Sequence, residues 1–164
     1  MADPVQIASP DPEWPKKFQV AKTELERFLG ERALGIEHIG STAVRGLSAK
    51  PVIDVLVGLR TMDDVLAAAS DLAKHGWEFP AKINDALTDR RFAKKEPRTH
   101  HLHLVVYQGE EWQKLIVLRD ALRADPELAA RYEALKRELA VKYKDQREQY
   151  TAEKTSFIRA VLKR

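Results

Sequence analysis

The sequence predicts an α/β (α+β) fold, a mixed sheet flanked by helices, with a helical C-terminal third. Three observations predict it: a helical apolar pattern from Trp14 to Leu29, two strand-like apolar runs at 51–57 and 101–107, and helical periodicity alone after residue 110. At 164 residues the chain has about the length of one domain, so a single domain over 1–164 is expected.

Hydrophobic residues at 44% and charged residues at 32% place the chain among globular proteins and exclude wholesale disorder. The absence of cysteine excludes disulfides, thiolate metal sites, Fe–S clusters and a cysteine nucleophile, and it fits a reducing compartment. Any metal must therefore sit on His, Asp, Glu or backbone oxygen. Met1-Ala2-Asp3-Pro4 lacks the basic-then-apolar order of a leader, and no stretch approaches the roughly 18 apolar residues of a membrane span, so a cytoplasmic location is expected. A net charge of +3 tolerates anionic ligands but does not by itself call for nucleic acid.

The first helix is read from Trp14, Phe18, Ala21, Leu25, Phe28 and Leu29, after Ser9-Pro10-Asp11-Pro12 and before Gly30. Leu34 to Ile39 reads as a short strand broken at Gly40. Pro51-Val52-Ile53-Asp54-Val55-Leu56-Val57 reads as a strand buried on both faces, bounded by Lys50 and Gly58, in which Asp54 is the anomaly. Thr61, Asp63 and Asp64 open a second helix with Val65, Leu66, Ala69, Leu72 and Ala73 on one face, closed by His75-Gly76. Trp77 to Phe79 and Thr88 to Phe92 are weaker strands, and His101 to Tyr107 a stronger one. Trp112, Leu115, Ile116 and Leu122 define a third helix. After Asp125-Pro126 a narrow seam of Leu128, Tyr132, Leu135, Leu139 and Tyr143 defines the next, and Phe157, Ile158, Val161 and Leu162 a last one.

Chemistry concentrates in residues 37–54. A Gly-Ser pair where a strand gives way to a helical turn offers backbone N–H groups and a hydroxyl to an anion, which suits phosphate at Gly40, Ser41 and Thr42. A glycine turn with Ser41 as a helix cap fits the same local sequence. It is neither a Walker A loop nor a dinucleotide GxGxxG.

The run Glu37-His38-Ile39-Gly40-Ser41-Thr42-Ala43-Val44-Arg45-Gly46-Leu47-Ser48-Ala49-Lys50-Pro51-Val52-Ile53-Asp54 resembles the signature of the GrpB family. Arg119-Asp120-Ala121-Leu122-Arg123, the His-Leu-His strand and Lys154-Thr155-Ser156-Phe157-Ile158 are similar to that family too. The resemblance implies a nucleotidyltransferase-like fold, in which the Gly-Ser holds nucleotide phosphates and an acidic strand holds a divalent metal. It further implies a second carboxylate two residues after the first, on the same strand face, so that the pair grips Mg²⁺. Here that position holds Leu56. The occurrence of such domains fused to dephospho-coenzyme A kinase implies a link to cofactor metabolism.

His101 and His103 share one face of their strand and, with Asp54, would form a His₂Asp set favouring Zn²⁺, Mn²⁺ or Fe²⁺ over Mg²⁺. Hydrogen-bonded strand histidines, or histidines that touch substrate, fit the pattern equally. His100 and His38 are lesser candidates, and His75 reads as surface. Arg45, Lys50, Arg90, Arg91, Arg119 and Arg123 could hold substrate anions, and the resemblance singles out Lys50, Arg91 and Arg119. Two readings follow. One is an enzyme that binds a nucleotide or other phosphorylated ligand, with Asp54 in a divalent-cation site (Mg²⁺, Mn²⁺ or Zn²⁺), and transfers a nucleotidyl group; the other is a non-catalytic nucleotide-binding or accessory module. Residues 131–164 carry ten Lys/Arg against five Asp/Glu, but without an aromatic recognition motif nucleic acid ranks below both.

Overall fold

The computed structural model of the chain describes residues 7–163, so the leader reading of Met1–Pro4 lies outside the described residues. Four strands form one sheet: β1 (Gly35–Ile39), β2 (Ile53–Leu59), β3 (Arg90–Lys95) and β4 (His100–Val106), in the order β1-β2-β4-β3. β1 is antiparallel to β2, β2 parallel to β4, and β4 antiparallel to β3. The parallel β2/β4 pair needs a crossover, and the chain supplies it with α2 (Met62–Ala73), the single turn α3 (Ala81–Asn84) and the edge strand β3.

α1 (Trp14–Leu29) forms as its periodicity predicts, with Pro at its start and Gly30 at φ +56° closing it. Its buried stripe of Trp14, Phe18, Ala21, Leu25 and Leu29 packs with α2 onto one sheet face, against Ile36, Ile53, Val55, Val57, Leu59, Leu102 and Leu104. In α2 the Thr61 hydroxyl accepts from the Asp64 amide at 3.1 Å, a proper N-cap. Its buried residues are Val65, Ala68 and Leu72, whereas Leu66 and Ala73 are exposed, which corrects the expected face. The stripe steps by three and four, and Leu66 is turned about 100° away from Val65.

β2 runs two residues later than expected, and Gly58 lies inside it rather than ending it. A Cβ at Gly58 would approach the Tyr107 Cα to 2.9 Å, so the glycine permits close approach of the chain after β4. Every β2 residue except Asp54 is buried, as expected for a central strand. β3 extends to Lys95, and Trp77 to Phe79 contributes only the bridge Glu78↔Lys94. Its mostly half-buried, charged sequence is that of an edge strand, which the apolar pattern did not signal.

The C-terminal third is α4 (Glu110–Ala124), α5 (Pro126–Lys142) and α6 (Arg147–Leu162). α4 covers part of the second sheet face, Trp112 packing with Ile39, Leu56 and Val105. Asp125 caps α5 by accepting from the Leu128 amide at 3.1 Å. Val44 and Leu47, from the loop between β1 and β2, pack with Leu122, Leu128, Tyr132 and Val161, which ties the helices to that loop. The seam of α5 buries Leu128, Tyr132 and Leu139 as expected, but also Lys136. α6 starts well before Phe157, since its first turns are polar and show no apolar period.

Candidate functional site

Parity and register build the site. β2 pairs with β4 so that Asp54 lies beside His101 and Leu56 beside His103, which puts all four on one sheet face. Leu102 and Leu104 take the opposite face and are fully buried, which fixes the orientation of the histidines. Asp54 Oδ1 lies 3.5 Å from His101 Nδ1 and 3.6 Å from His103 Nε2. The Phe92 ring from β3 stands edge-on to both imidazoles, at centroid distances of 5.0 and 5.5 Å. Burial by itself would raise the Asp54 carboxyl, but contact with the two histidines outweighs it and holds the group well below the usual carboxylate range.

The Gly-Ser pair lies against this carboxylate. Gly40 ends β1 at φ +74°, and a Cβ there would sit 2.5 Å from Asp54 Oδ2, so both the conformation and the space require glycine. Residues Ser41–Ala43 form one 3-10 turn in which Gly40 takes the cap position and the Ser41 side chain makes no cap bond. The Ser41 hydroxyl instead meets the buried Tyr132 hydroxyl of α5.

Neighbouring side chains hold the turn. Thr42 points inward, its hydroxyl 2.9 Å from His38 Nε2, and the His38 ring stacks on Phe18. Burial lowers the His38 pKa to about 4, with Arg123 and Arg119 adding to the effect and Asp54 opposing it. Arg123 Nε donates to the Ala43 carbonyl at 2.9 Å. Arg119 donates to Glu37 at 2.8 Å and to Asp120 at 3.0 Å. Both arginines thus brace β1 and its turn.

Lys50 is an expected anion ligand that lies within electrostatic reach of Asp54, and it arrives with two lysines the sequence reading did not assign. Lys50 Nζ lies 4.5 Å from the Tyr150 ring centroid, Lys154 Nζ 5.4 Å from the same ring, and Lys136 Nζ 5.0 Å from the Tyr132 ring. Lys136 is only 2% exposed and donates to the Ser48 carbonyl at 2.5 Å, while Arg137 donates to the Ser48 hydroxyl at 2.8 Å. Burial, reinforced by the repulsion of Lys154, lowers Lys50 to about 8 and Lys136 to about 7. The signal that could have found Lys136 is its position: 128, 132, 136 and 139 form a better helical stripe than one drawn through Leu135.

Other expected ligands lie elsewhere. Arg91 projects from the face opposite Asp54, by its register with Leu104, and its guanidinium bonds the carbonyls of Leu87 and Arg90. Arg119 is occupied by carboxylates. His38 faces the α1 side, in register with Val55, and His100 pairs with the Thr99 hydroxyl at 2.8 Å. His75 is exposed and stacks on Phe28. Leu56, at the second carboxylate position, is fully buried beneath Trp112. Among the described residues no group of three or more His, Cys, Asp or Glu donors is gathered tightly enough to hold a metal ion. The Asp54, His101 and His103 donors face one another at ion-pair spacing, so a cation there would need further donors from a ligand.

Two concavities border the site. One of about 190 Å³ is lined by His103, Phe92, Ile83, Leu87 and Leu115, with the Arg90–Glu111 pair, 2.6 Å long, at its wall. The other, about 1100 Å³, reaches Thr42 and His38 and runs past Trp14, Arg45 and Arg123, without touching Asp54.

A strand ending in Gly-Ser beside an acidic strand, on a mixed sheet with a helical C-terminal third, defines a nucleotidyltransferase-like fold. A cytoplasmic RNA terminal U-transferase shares it at a TM-score of 0.51 and 17% identity, over 82% of this chain and 42% of that one. The GrpB protein family profile matches residues 4–164, and the chain belongs to the GrpB family. It is 36% identical to the glutamate-rich protein GrpB of Alkalihalophilus pseudofirmus, over 91% of this chain and 88% of that protein. The crystal structure of the conserved protein GrpB from Enterococcus faecalis superposes with a TM-score of 0.84 at 31% identity, over 96% of this chain and 98% of that one. The dephospho-CoA kinase of Mycolicibacterium paratuberculosis is 30% identical over 98% of this chain, which spans 46% of that protein. No helix among the described residues is long and apolar enough to cross a membrane.

Proposed function

We propose that the chain binds a nucleotide through phosphates held at Gly40, Ser41 and Lys50, and transfers a nucleotidyl group to an acceptor with Asp54 at the centre of the site. The observation that carries this reading is the direct apposition of the Gly-Ser turn and a strongly acidic carboxylate: Asp54 Oδ2 occupies the space that any Cβ at residue 40 would need. A phosphate seated on the turn would lie beside Asp54, with Lys50 to balance its charge.

Asp54, His101 and His103 would hold a divalent cation together with oxygens of the ligand. The cation would supply charge neutralisation to the phosphates, and the imidazoles favour Mn²⁺ or Zn²⁺ over Mg²⁺. The chain's own groups do the positioning. The turn is braced by His38, Arg119 and Arg123, Ser41 presents its hydroxyl, and the small hollow beside Phe92 and His103 would seat the acceptor next to the cation site.

Leu56 favours a second reading, a nucleotide-binding accessory module without turnover. The likeness to one half of a dephospho-CoA kinase supports a place beside cofactor metabolism for such a module. Incubation with γ-labelled nucleoside triphosphates and Mn²⁺ or Mg²⁺ separates the two. Metal-dependent pyrophosphate release that falls about 100-fold in Asp54→Asn supports transfer. Nucleotide-induced thermal stabilisation without release supports the accessory module, and neither effect with any nucleotide would refute both.

A further inference from the structure

The large cleft of about 1100 Å³ takes no part in the proposed transfer. It does not touch Asp54, and four pieces of chain enclose it: the segment entering α1, the loop after β1, the end of α4 and the first turns of α5. Its volume is that of a pocket for a small organic molecule. Pro10, Pro12, Pro15, Pro126 and Ala130 line it and are exposed, so they offer apolar surface that has almost no side-chain entropy to lose on binding. Two exposed guanidiniums border the same surface. Arg45 makes no ion pair among the described residues, and Arg123 makes none either, using only its Nε on the Ala43 carbonyl at 2.9 Å. The cleft also carries two carboxylates, both engaged with other groups: Asp11 accepts from the Glu13 amide at 2.8 Å, and Glu133 pairs with Arg137 at 3.3 Å. A guanidinium holds a carboxylate through two parallel bonds. With Asp11 and Glu133 on the same cleft, a dianionic phosphate monoester meets about twice the repulsion that a monoanion meets, and an uncharged molecule leaves both arginines unused.

We propose that this cleft is a second ligand site, separate from the nucleotide, for a small monocarboxylic acid with an apolar body. Arg45 and Arg123 hold the carboxylate, and the prolines and Ala130 take the body. Thr42 and Ala43 line the cleft as well, so its occupant touches the turn whose Gly40 meets Asp54.

Calorimetry on the full chain, without metal or nucleotide, tests this with octanoate and 2-naphthoate, an aliphatic and an aromatic probe. At least one should bind, and about ten-fold tighter than both the amide and the phosphate monoester of the same body. Arg45→Gln should weaken that binding about five-fold or more, and Ala130→Trp, which fills the cleft from an exposed helix position, should abolish it. Both variants should melt at the parent temperature, since Arg45 is unpaired and Ala130 exposed. Failure of both carboxylates to bind, an amide or phosphate monoester that binds as tightly as its acid, or either variant binding as the parent does overturns the proposal. Each of those failures leaves nucleotide binding at the Gly-Ser turn untouched, just as an absence of nucleotidyl transfer leaves this result untouched.

Discussion

At the scale of single residues, Gly40 and His38 govern the turn from opposite sides. Gly40→Ala places a Cβ against Asp54 at a positive φ, at a cost of about 1–3 kcal/mol, and should lower the melting temperature and push Asp54 away from the imidazoles. Thermal unfolding together with the loss of any metal-dependent nucleotide effect checks it. His38 makes a pH prediction. Its folded pKa, about 4, lies below the ordinary 6.5, so the unfolded chain takes up a proton that the folded chain refuses. The parent should therefore lose stability as pH falls from 6.5 towards 4. In His38→Gln, denaturant titrations between pH 5 and 6 should show that slope reduced by one proton, ~1.4 kcal/mol per pH unit. Asp54 acts in a lower window: its depressed pKa contributes stability above the ordinary carboxylate range that is lost on further acidification. Asp54, His101 and His103 were legible in the sequence because strand parity is a strict period of two. Lys136 and Lys154 were not, because a lysine in a helix reads as solvated surface until the neighbours that bury it are known.

At the scale of elements, α4 decides the character of the sheet face. It lays Trp112 over Leu56, so the position that the nucleotidyltransferase pattern gives to a second carboxylate is dry here. Leu56→Asp, which restores that pattern in sequence, should destabilise the protein by about 3 kcal/mol or more instead of completing a magnesium site, because it buries an uncompensated charge. Chemical denaturation with and without Mg²⁺ checks this; a variant of parent stability, or one rescued by Mg²⁺, would contradict it. α1, β2 and β4 were legible in sequence because their apolar periods are strong. The Gly58 boundary was misread because a glycine that admits Tyr107 looks the same in sequence as a glycine that ends a strand. β3 and the first turns of α6 were weakly marked, as both are too polar to show a period.

At the scale of the whole molecule, the helical third is joined to the phosphate turn through core packing. Val44 and Leu47 share a cluster with Leu128, Tyr132 and Val161, and Lys50 lies on Tyr150, itself 1% exposed. Removing residues 126–164 should therefore leave a chain that no longer unfolds cooperatively; a soluble fragment with a sharp transition would show the sheet to be independent of these helices. The same packing carries Lys50 to within electrostatic reach of Asp54, which lies against the turn, and the phosphate site proposed between them is the central claim. It is tested most directly by a crystal structure with a non-hydrolysable nucleoside triphosphate and Mn²⁺, using the anomalous signal of manganese. The account predicts phosphate density between Ser41 and Lys50, with manganese bound by Asp54. Phosphates lodged instead in the large cleft beside Trp14 and Arg123, or manganese remote from Asp54, would contradict it.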